Sequence, residues 1–181
     1  MGHFDRIIGP ILVNEGVNNR NPTGYADIPG DTGGVTKWGI STKAWNKLKV
    51  LFPERYNQFP SKTQDLTKEQ ALVIYNNEYY LPWFDKLDRT TAFLLMDCEV
   101  NQGFAARIVQ RAIEAEEDGN VGPQTLAAIQ RANRDIPKFN EEVIWQRLIR
   151  YKQINQPQFM NGWINRLTEC RKVIKELNVT P

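Results

Sequence analysis

Residues 24–41 read GYADIPGDTGGVTKWGIS, a stretch that holds five glycines in eighteen positions. Because glycine adopts positive φ angles without strain, the backbone can turn tightly here and bring the intervening polar side chains together. We expect a short β-ribbon within residues 24–40. The rest of the chain has no such density of glycine, and its apolar residues recur at helical intervals. The sequence therefore predicts a mostly α fold with one small β element, an α+β arrangement.

Helices are predicted on both sides of the glycine-rich stretch. Apolar residues recur at helical spacing within residues 4–12, where Pro10 is expected to kink the helix or delay its start. Thr67 and Gln70 form the capping-box pattern that opens a further helix, which Pro82 ends. These signals place helical structure directly before and after the predicted ribbon.

The C-terminal half reads as a series of longer helices. One helix is predicted from Phe93 to Ile113, and Pro123 is well placed as the first residue of the next. Two more are predicted at about residues 138–154 and 158–177. The residues of these last two helices that are expected to face inward are Trp145, Leu148, Trp163, Leu167 and Val173.

Acidic residues lie close to the predicted ribbon. Glu15 precedes the glycine-rich stretch, whereas Asp27 and Asp31 lie within it. Packing against the apolar face of residues 4–12 favours a protonated Glu15, and a polar loop favours ionised aspartates. Cleavage of a glycosidic bond requires one protonated and one ionised carboxyl group. An aspartate in a glycine-rich turn also commonly caps that turn, so the spacing alone leaves both interpretations open.

Composition excludes several other functions. His3 is the single histidine in the sequence, so neither a Ser-His-Asp triad nor a histidine-rich zinc site can be assembled, and we expect no metal or cofactor. The net charge of +2 lacks the dense basic stripe of a nucleic-acid-binding protein. No apolar run reaches the roughly 18 residues of a membrane span. Cys98 and Cys170 are expected to be free thiols in the core.

Two further motifs follow the glycine-rich stretch: LTKEQALVIYNNEYYLPW (66–83) and MDCEVNQG (96–103). Together these stretches resemble glycoside hydrolase family 108, the phage and bacterial N-acetylmuramidases. The first motif is similar to the family's tyrosine-rich middle helix, and the second to its D-x-x-V-N-x-G helix. EDGNVGPQTLAAI (117–129) resembles an element of a predicted peptidoglycan-binding domain. The residues that match the N-terminal signature are Glu15, Gly16, Tyr25, Asp27, Pro29, Asp31, Gly33, Gly34, Thr36, Lys37, Gly39 and Ile40.

The resemblance implies catalytic roles for four residues. Glu15 corresponds to the general acid. In most relatives Glu-Gly is followed at once by Gly-Tyr, whereas this chain inserts VNNRNPT (17–23) between the two pairs. Two alignments of the second carboxylate result: the phage-lysozyme pattern selects Asp27, and the family 108 pattern selects Asp31, which we favour. The similarity to phage lysozymes also implies that Thr36 holds the attacking water, as in an inverting enzyme.

The resemblance also implies substrate contacts. Asp97 and Asn101 are four residues apart and share one helical face, which the family pattern directs toward the cleft. A polar edge on an otherwise buried helix is the alternative for this pair. Tyr25 and Trp38 are candidates for contact with sugar rings, although aromatic residues most often belong to the core.

These features predict a lysozyme-like endolysin that cuts the β-1,4 bond between N-acetylmuramic acid and N-acetylglucosamine. We expect a muramidase region at residues 1–100 and a helical, peptidoglycan-binding-like region at residues 101–181 packed on it, with a cleft between the lobes. A lytic transglycosylase and a noncatalytic wall-binding or secretion-linked module are the alternatives. The expected partner is the glycan strand, and we expect a monomer. Without a signal peptide the protein would be made in the host cytoplasm and reach the wall through a separate pore.

Overall fold

Within residues 2–179, which the computed structural model describes, the chain forms nine α-helices and one two-stranded antiparallel sheet. The helices are α1 (Phe4–Asn14), α2 (Thr42–Leu51), α3 (Pro53–Tyr56), α4 (Lys68–Glu78), α5 (Arg89–Gln102), α6 (Ala105–Ala112), α7 (Pro123–Ala132), α8 (Ile136–Ile154) and α9 (Pro157–Val179). The strands are β1 (Thr36–Lys37) and β2 (Ile40–Ser41), and three 3-10 turns span Thr63–Asp65, Pro82–Lys86 and Asn133–Asp135. The predicted mostly helical α+β class is confirmed.

The described chain divides into two compact units. Ile8–Glu78 form one, which we call the hairpin unit, and residues 2–7 together with 79–179 form the other, the helical unit. One boundary falls within α1 and the other directly after α4. Neither lies near residue 100, the predicted boundary between the muramidase region and the peptidoglycan-binding-like region, and that functional division stays a prediction.

The hairpin unit is built around β1 and β2. Thr36 pairs with Ser41 and Lys37 with Ile40, so only Trp38 and Gly39 form the turn. Both turn residues have positive φ angles, 56° and 77°, as the tightest hairpin turns require. Ala26 makes a further antiparallel bridge to Thr36. The predicted ribbon is therefore confirmed.

Local sequence signals account for several helix ends. The Thr67 hydroxyl accepts from the Gln70 N–H at 3.2 Å, and the Gln70 side chain accepts from the Thr67 N–H at 3.0 Å, which confirms the capping box. Pro123 occupies the first turn of α7, as predicted. Helix α1 begins before Pro10 and continues to Asn14, so the proline neither delays nor ends it.

The prediction of one helix from Phe93 to Ile113 is wrong, because one helix ends at Gln102 and a second begins at Ala105. Gly103 has a left-handed φ of 61° and caps α5 through its N–H bond to the Glu99 carbonyl at 2.8 Å. The Glu99 carboxylate then accepts from the N–H of Ala105, the first residue of α6, at 3.1 Å. One side chain thus marks the junction of two helices.

Helix α5 is the centre of the helical unit. Residues 90–98 are all buried, and the helix packs against α6, α8 and α9. Cys98 and Cys170 are buried free thiols, as predicted, and burial raises the pKa of each thiol to about 12. None of the helices described in residues 2–179 is long and apolar enough to cross a membrane.

The orientation predicted for Trp145 is wrong. Its residue surface is 51% exposed, whereas Leu167 on the neighbouring helix is buried at 3%. Ile144 and Arg147 of α8 face the core instead, being 1% and 0% exposed, so the buried stripe passes one position before and two positions after the tryptophan.

Candidate functional site

Glu15 lies at the C-terminal end of α1, in the hairpin unit. Its backbone N–H donates to the carbonyls of Ile11 and Leu12, both at 3.1 Å, so the residue continues the last helical turn. Its side chain is partly exposed. Helix geometry therefore fixes where the Glu15 side chain leaves the backbone.

The Glu15 side chain lies directly against Gly39 in the hairpin turn. A Cβ atom added at Gly39 would come within 2.6 Å of Glu15 Cβ and 2.9 Å of Glu15 Cγ, and closer still to the Tyr75 hydroxyl. These distances are too short for any side chain at position 39. The turn glycine thus permits a helix-borne carboxylic acid, a buried tyrosine and the hairpin backbone to meet at one point.

Trp38 and Tyr75 hold this turn in place. The Tyr75 hydroxyl donates to the Trp38 carbonyl at 3.0 Å, and the Trp38 indole N–H donates to the Leu66 carbonyl at 3.1 Å. Trp38 is a non-glycine residue with positive φ, a conformation that costs free energy and persists only where the surrounding contacts impose it. Only 9% of its surface is exposed, so the indole serves mainly to anchor the hairpin.

The insertion at residues 17–23 forms a closed loop. Asn18 and Asn21 exchange backbone hydrogen bonds of 3.0 and 3.1 Å, and Asn21 also bonds both backbone groups of Tyr25 through its side chain. A Cβ at Gly24 would lie 3.4 Å from the Glu15 carbonyl oxygen. Gly24 therefore lies beside Glu15-Gly16 in space, although the seven residues 17–23 separate Glu15-Gly16 from Gly24-Tyr25 in the sequence.

The two candidate aspartates differ in their surroundings. Asp31 is exposed, and its Oδ1 accepts from the Gly33 N–H at 2.8 Å, so its carboxylate is held by its own loop. Asp27 is also exposed and directly follows Ala26, and within residues 2–179 its side chain makes no hydrogen bond. Asp31 is thus the more firmly oriented of the two.

Thr36 and Tyr25 belong to the same ribbon. Thr36 is partly buried and exchanges two backbone hydrogen bonds with Ala26, of 2.8 and 2.9 Å, while facing Ser41 across the hairpin. Its backbone is therefore fixed on both sides. Tyr25 is 45% exposed, whereas Trp38, the other aromatic candidate for sugar contact, is only 9% exposed.

Asp97 and Asn101 lie in the helical unit, and Asp97 is completely buried. Its carboxylate accepts from Arg147 at 2.6 Å and from Arg166 at 2.9 Å, while exposed Asn101 accepts from the Tyr151 hydroxyl at 3.0 Å. Burial by itself raises the pKa of Asp97, but the charges and hydrogen bonds of the two arginines hold this pKa well below its usual range. A carboxylate with no exposed surface is unavailable to a polysaccharide, so we assign Asp97 to the core.

Sequence reasoning missed the part played by Tyr75 and Gly39 around Glu15. The sequence predicts Tyr75 only as an apolar position of the tyrosine-rich helix, and it predicts Gly39 only as a turn residue. No local pattern indicates that residues 15, 39 and 75 meet, because their contact depends on how the helices and hairpin pack.

Comparison with known proteins gives two family matches and one similar solved structure. The family model described as Glycosyl hydrolase 108 matches residues 9–103, and the model described as Predicted Peptidoglycan domain matches residues 104–168. The chain is also similar to the solved structure of Brucella abortus SagA, at 25% identity and a TM-score of 0.75, over 98% of this chain and 96% of that chain. No match was found among curated proteins.

Proposed function

The chain belongs to glycosyl hydrolase family 108, and from this premise we propose that it is a muramidase that hydrolyses the β-1,4 bond between N-acetylmuramic acid and N-acetylglucosamine. The two family matches make it a glycoside hydrolase that acts on peptidoglycan. The bond that is cut and the residues that cut it are the proposal.

Glu15 is the proposed general acid. The observation that carries this assignment is the contact of its side chain with Gly39, because it puts a partly exposed carboxyl group on the glycine-rich motif that defines the family pattern. In the reaction, Glu15 donates its proton to the glycosidic oxygen as the bond from that oxygen to the anomeric carbon breaks. The leaving sugar thereby departs as a neutral alcohol.

Asp31 is the proposed second carboxylate, with Asp27 as the alternative. A water molecule, positioned with the help of Thr36, loses a proton to this carboxylate and attacks the anomeric carbon from the face opposite the acid, which inverts the anomeric configuration. The fixed orientation of Asp31 supports this choice, since a base that is already oriented loses less freedom when it binds the water.

Replacement of Glu15 by glutamine tests the proposal. Glu15→Gln keeps the shape of the side chain but removes the transferable proton, so we expect clearing of purified peptidoglycan to fall by about 100-fold or more. Glu54→Gln, at an exposed position of α3 in the same unit, is the matched control and should clear at the parent rate. Clearing by Glu15→Gln at the parent rate would show that another group supplies the proton.

The second carboxylate is assigned by a parallel pair of variants. In Asp31→Asn the amide oxygen can still accept from the Gly33 N–H, so the loop is retained while the negative charge is lost. We expect this variant to lose about 100-fold or more in rate and Asp27→Asn to lose much less. The reverse order would identify Asp27 as the base.

Analysis of the products distinguishes the proposed muramidase from the other enzymatic alternative, a lytic transglycosylase. A muramidase leaves N-acetylmuramic acid at the new reducing ends, whereas a lytic transglycosylase leaves an anhydro sugar without a reducing end. Anhydro products from the parent enzyme would show that the reaction is transglycosylation and not hydrolysis. The proposed role of Glu15 as the acid would be unaffected.

A further inference from the structure

Helices α8 and α9 of the helical unit enclose an apolar groove of about 380 Å³, which we call the Trp145 groove. Trp145 is 51% exposed and Ile164, on the facing helix, is 45% exposed. A half-exposed indole beside an apolar groove presents a flat ring face and a polar N–H to a ligand. The residues that matter for its chemistry are Trp145, Leu148, Lys152, Ile164, Thr168 and Arg171.

Polar groups surround the apolar floor. The Lys152 ammonium lies 5.9 Å from the centre of the Trp145 ring, and the Lys152 residue is exposed. The Thr168 hydroxyl donates to the Ile164 carbonyl at 3.0 Å, which leaves its oxygen able to accept. Arg171 is held at the edge by Glu141 at 2.7 Å. The groove therefore combines one flat aromatic face with a donor and an acceptor at its rim.

We propose that the Trp145 groove binds one N-acetylated sugar of the glycan strand, apart from the site of bond cleavage. This inference rests on the proposed function, which makes peptidoglycan the substrate. Sugar rings carry C–H groups on one face that pack on an indole, while their hydroxyls need hydrogen-bonding partners. Leu148 and Ile164 offer an apolar surface to the acetyl methyl group, and Lys152 can donate to a hydroxyl or to the amide carbonyl.

The size of the groove favours a sugar over a second protein. Its volume lies in the range of about 300–1,000 Å³ that small-molecule pockets occupy. A stable protein interface buries about 800 Å² on each partner, far more than two half-exposed side chains and their neighbours provide. Most of the groove also lies inside residues 104–168, the segment that matches the peptidoglycan domain.

Co-sedimentation with purified, insoluble peptidoglycan tests the proposal. In the Glu15→Gln background, which keeps the polymer intact, we expect Trp145→Ala to weaken binding about tenfold and Trp145→Phe, which keeps a ring, to weaken it less. Val50→Ala removes an apolar side chain that is 80% exposed on α2, and this control should bind like its background. Because Trp145 is exposed, the melting temperature should be unchanged in each variant.

A second probe separates this proposal from the catalytic one. Titration of the parent with a soluble N-acetylglucosamine tetramer should change the tryptophan fluorescence, and most of that change should be lost in Trp145→Phe. If Glu15→Gln remains active, the catalytic assignment fails, but the tetramer titration still reports on the groove. Unchanged binding of Trp145→Ala in both assays overturns the proposal. The proposal is also overturned if the parent is a dimer and Trp145→Ala makes it a monomer that still binds peptidoglycan, because the groove would then be a protein interface.

Discussion

Gly39 meets two separate requirements. Its φ of 77° disfavours every L-residue, and the space where a Cβ would lie is already taken by Glu15 and Tyr75. A methyl group there must push at least one of these side chains away. Glu15 Cβ and Cγ lie 2.6 and 2.9 Å from that position, so the acid side chain is displaced whether or not the Tyr75 hydroxyl also moves.

We therefore expect Gly39→Ala to reduce peptidoglycan clearing by about 100-fold, since a displacement of about 1 Å at a reacting group costs that much. Gly30→Ala is the matched control, because Gly30 has a φ of 87° but nothing within 4 Å of its Cβ position. Both variants carry the cost of a positive φ, about 1–2 kcal/mol of stability. Activity measured below both melting temperatures should fall only in Gly39→Ala, and equal activities would mean that Glu15 needs no such support.

The turn glycines and the capping box could be predicted from the sequence because each depends on a few neighbouring residues, whereas the catalytic roles of the carboxylates stay predictions. The environment of Trp38 could not be predicted. An indole in a glycine-rich motif is equally consistent with a sugar platform and with an anchor, and the bond to the Leu66 carbonyl, 28 residues away, decides between them. Contacts of this kind arise from packing and leave no local pattern.

Helix α5 shows the same limit in a longer element. Its placement in the core followed from its apolar residues, but Asp97 looked like a cleft residue because its partners, Arg147 and Arg166, are 50 and 69 residues away. The sequence predicted the bounds of α8 and α9 nearly correctly and the orientation of Trp145 wrongly. Helical spacing gives the period of a buried stripe, whereas the direction it faces depends on which helices pack against it.

The ion pair at the centre of α5 makes stability depend on pH. The folded state holds the pKa of Asp97 well below its ordinary value of 3.8, so the unfolded chain takes up a proton first as the pH falls. The contribution of Asp97 to the free energy of unfolding is therefore complete above about pH 4. It is lost at lower pH, by up to about 1.4 kcal/mol per pH unit, until the folded carboxylate is itself protonated.

Comparison with Asp97→Asn isolates this contribution. At pH 7 the variant leaves Arg147 buried beside a neutral amide, and we expect it to be about 3–5 kcal/mol less stable than the parent. In urea melts at a series of pH values, the difference should stay constant from pH 7 to pH 5 and narrow below pH 4. Asp5→Asn, at an exposed position of α1, should track the parent throughout. A difference that does not narrow in acid would mean that the Asp97 pair contributes no pH dependence.

The two family models meet between residues 103 and 104, inside one compact unit. Helix α5 belongs to the hydrolase match, yet it packs against α6 and α8, which lie in the peptidoglycan match, and against α9, which begins in that match and extends beyond it. The peptidoglycan-matching segment consequently shares a core with the last helix of the hydrolase segment. The division by sequence family and the division by packing differ because a sequence model describes a continuous stretch, whereas a core is assembled from distant ones.

This shared core predicts which fragment of the chain folds. A fragment of residues 79–181 retains α5 and lacks only residues 2–7 of the helical unit, including the edge-on contact of Phe4 with Tyr80 at 5.5 Å. It should be helical by circular dichroism and unfold in one cooperative thermal transition. A fragment of residues 104–181 lacks the nine consecutive buried residues 90–98 and leaves Arg147 without its carboxylate, so it should show no cooperative transition. Cooperative unfolding of 104–181 would mean that this segment is an independent module, and the glycan binding that we propose for it would then be separable from the enzyme. Because α5 completes the core of the helical unit, we expect a chain cut after residue 103 to lose both the cooperative folding of the C-terminal segment and its proposed glycan binding.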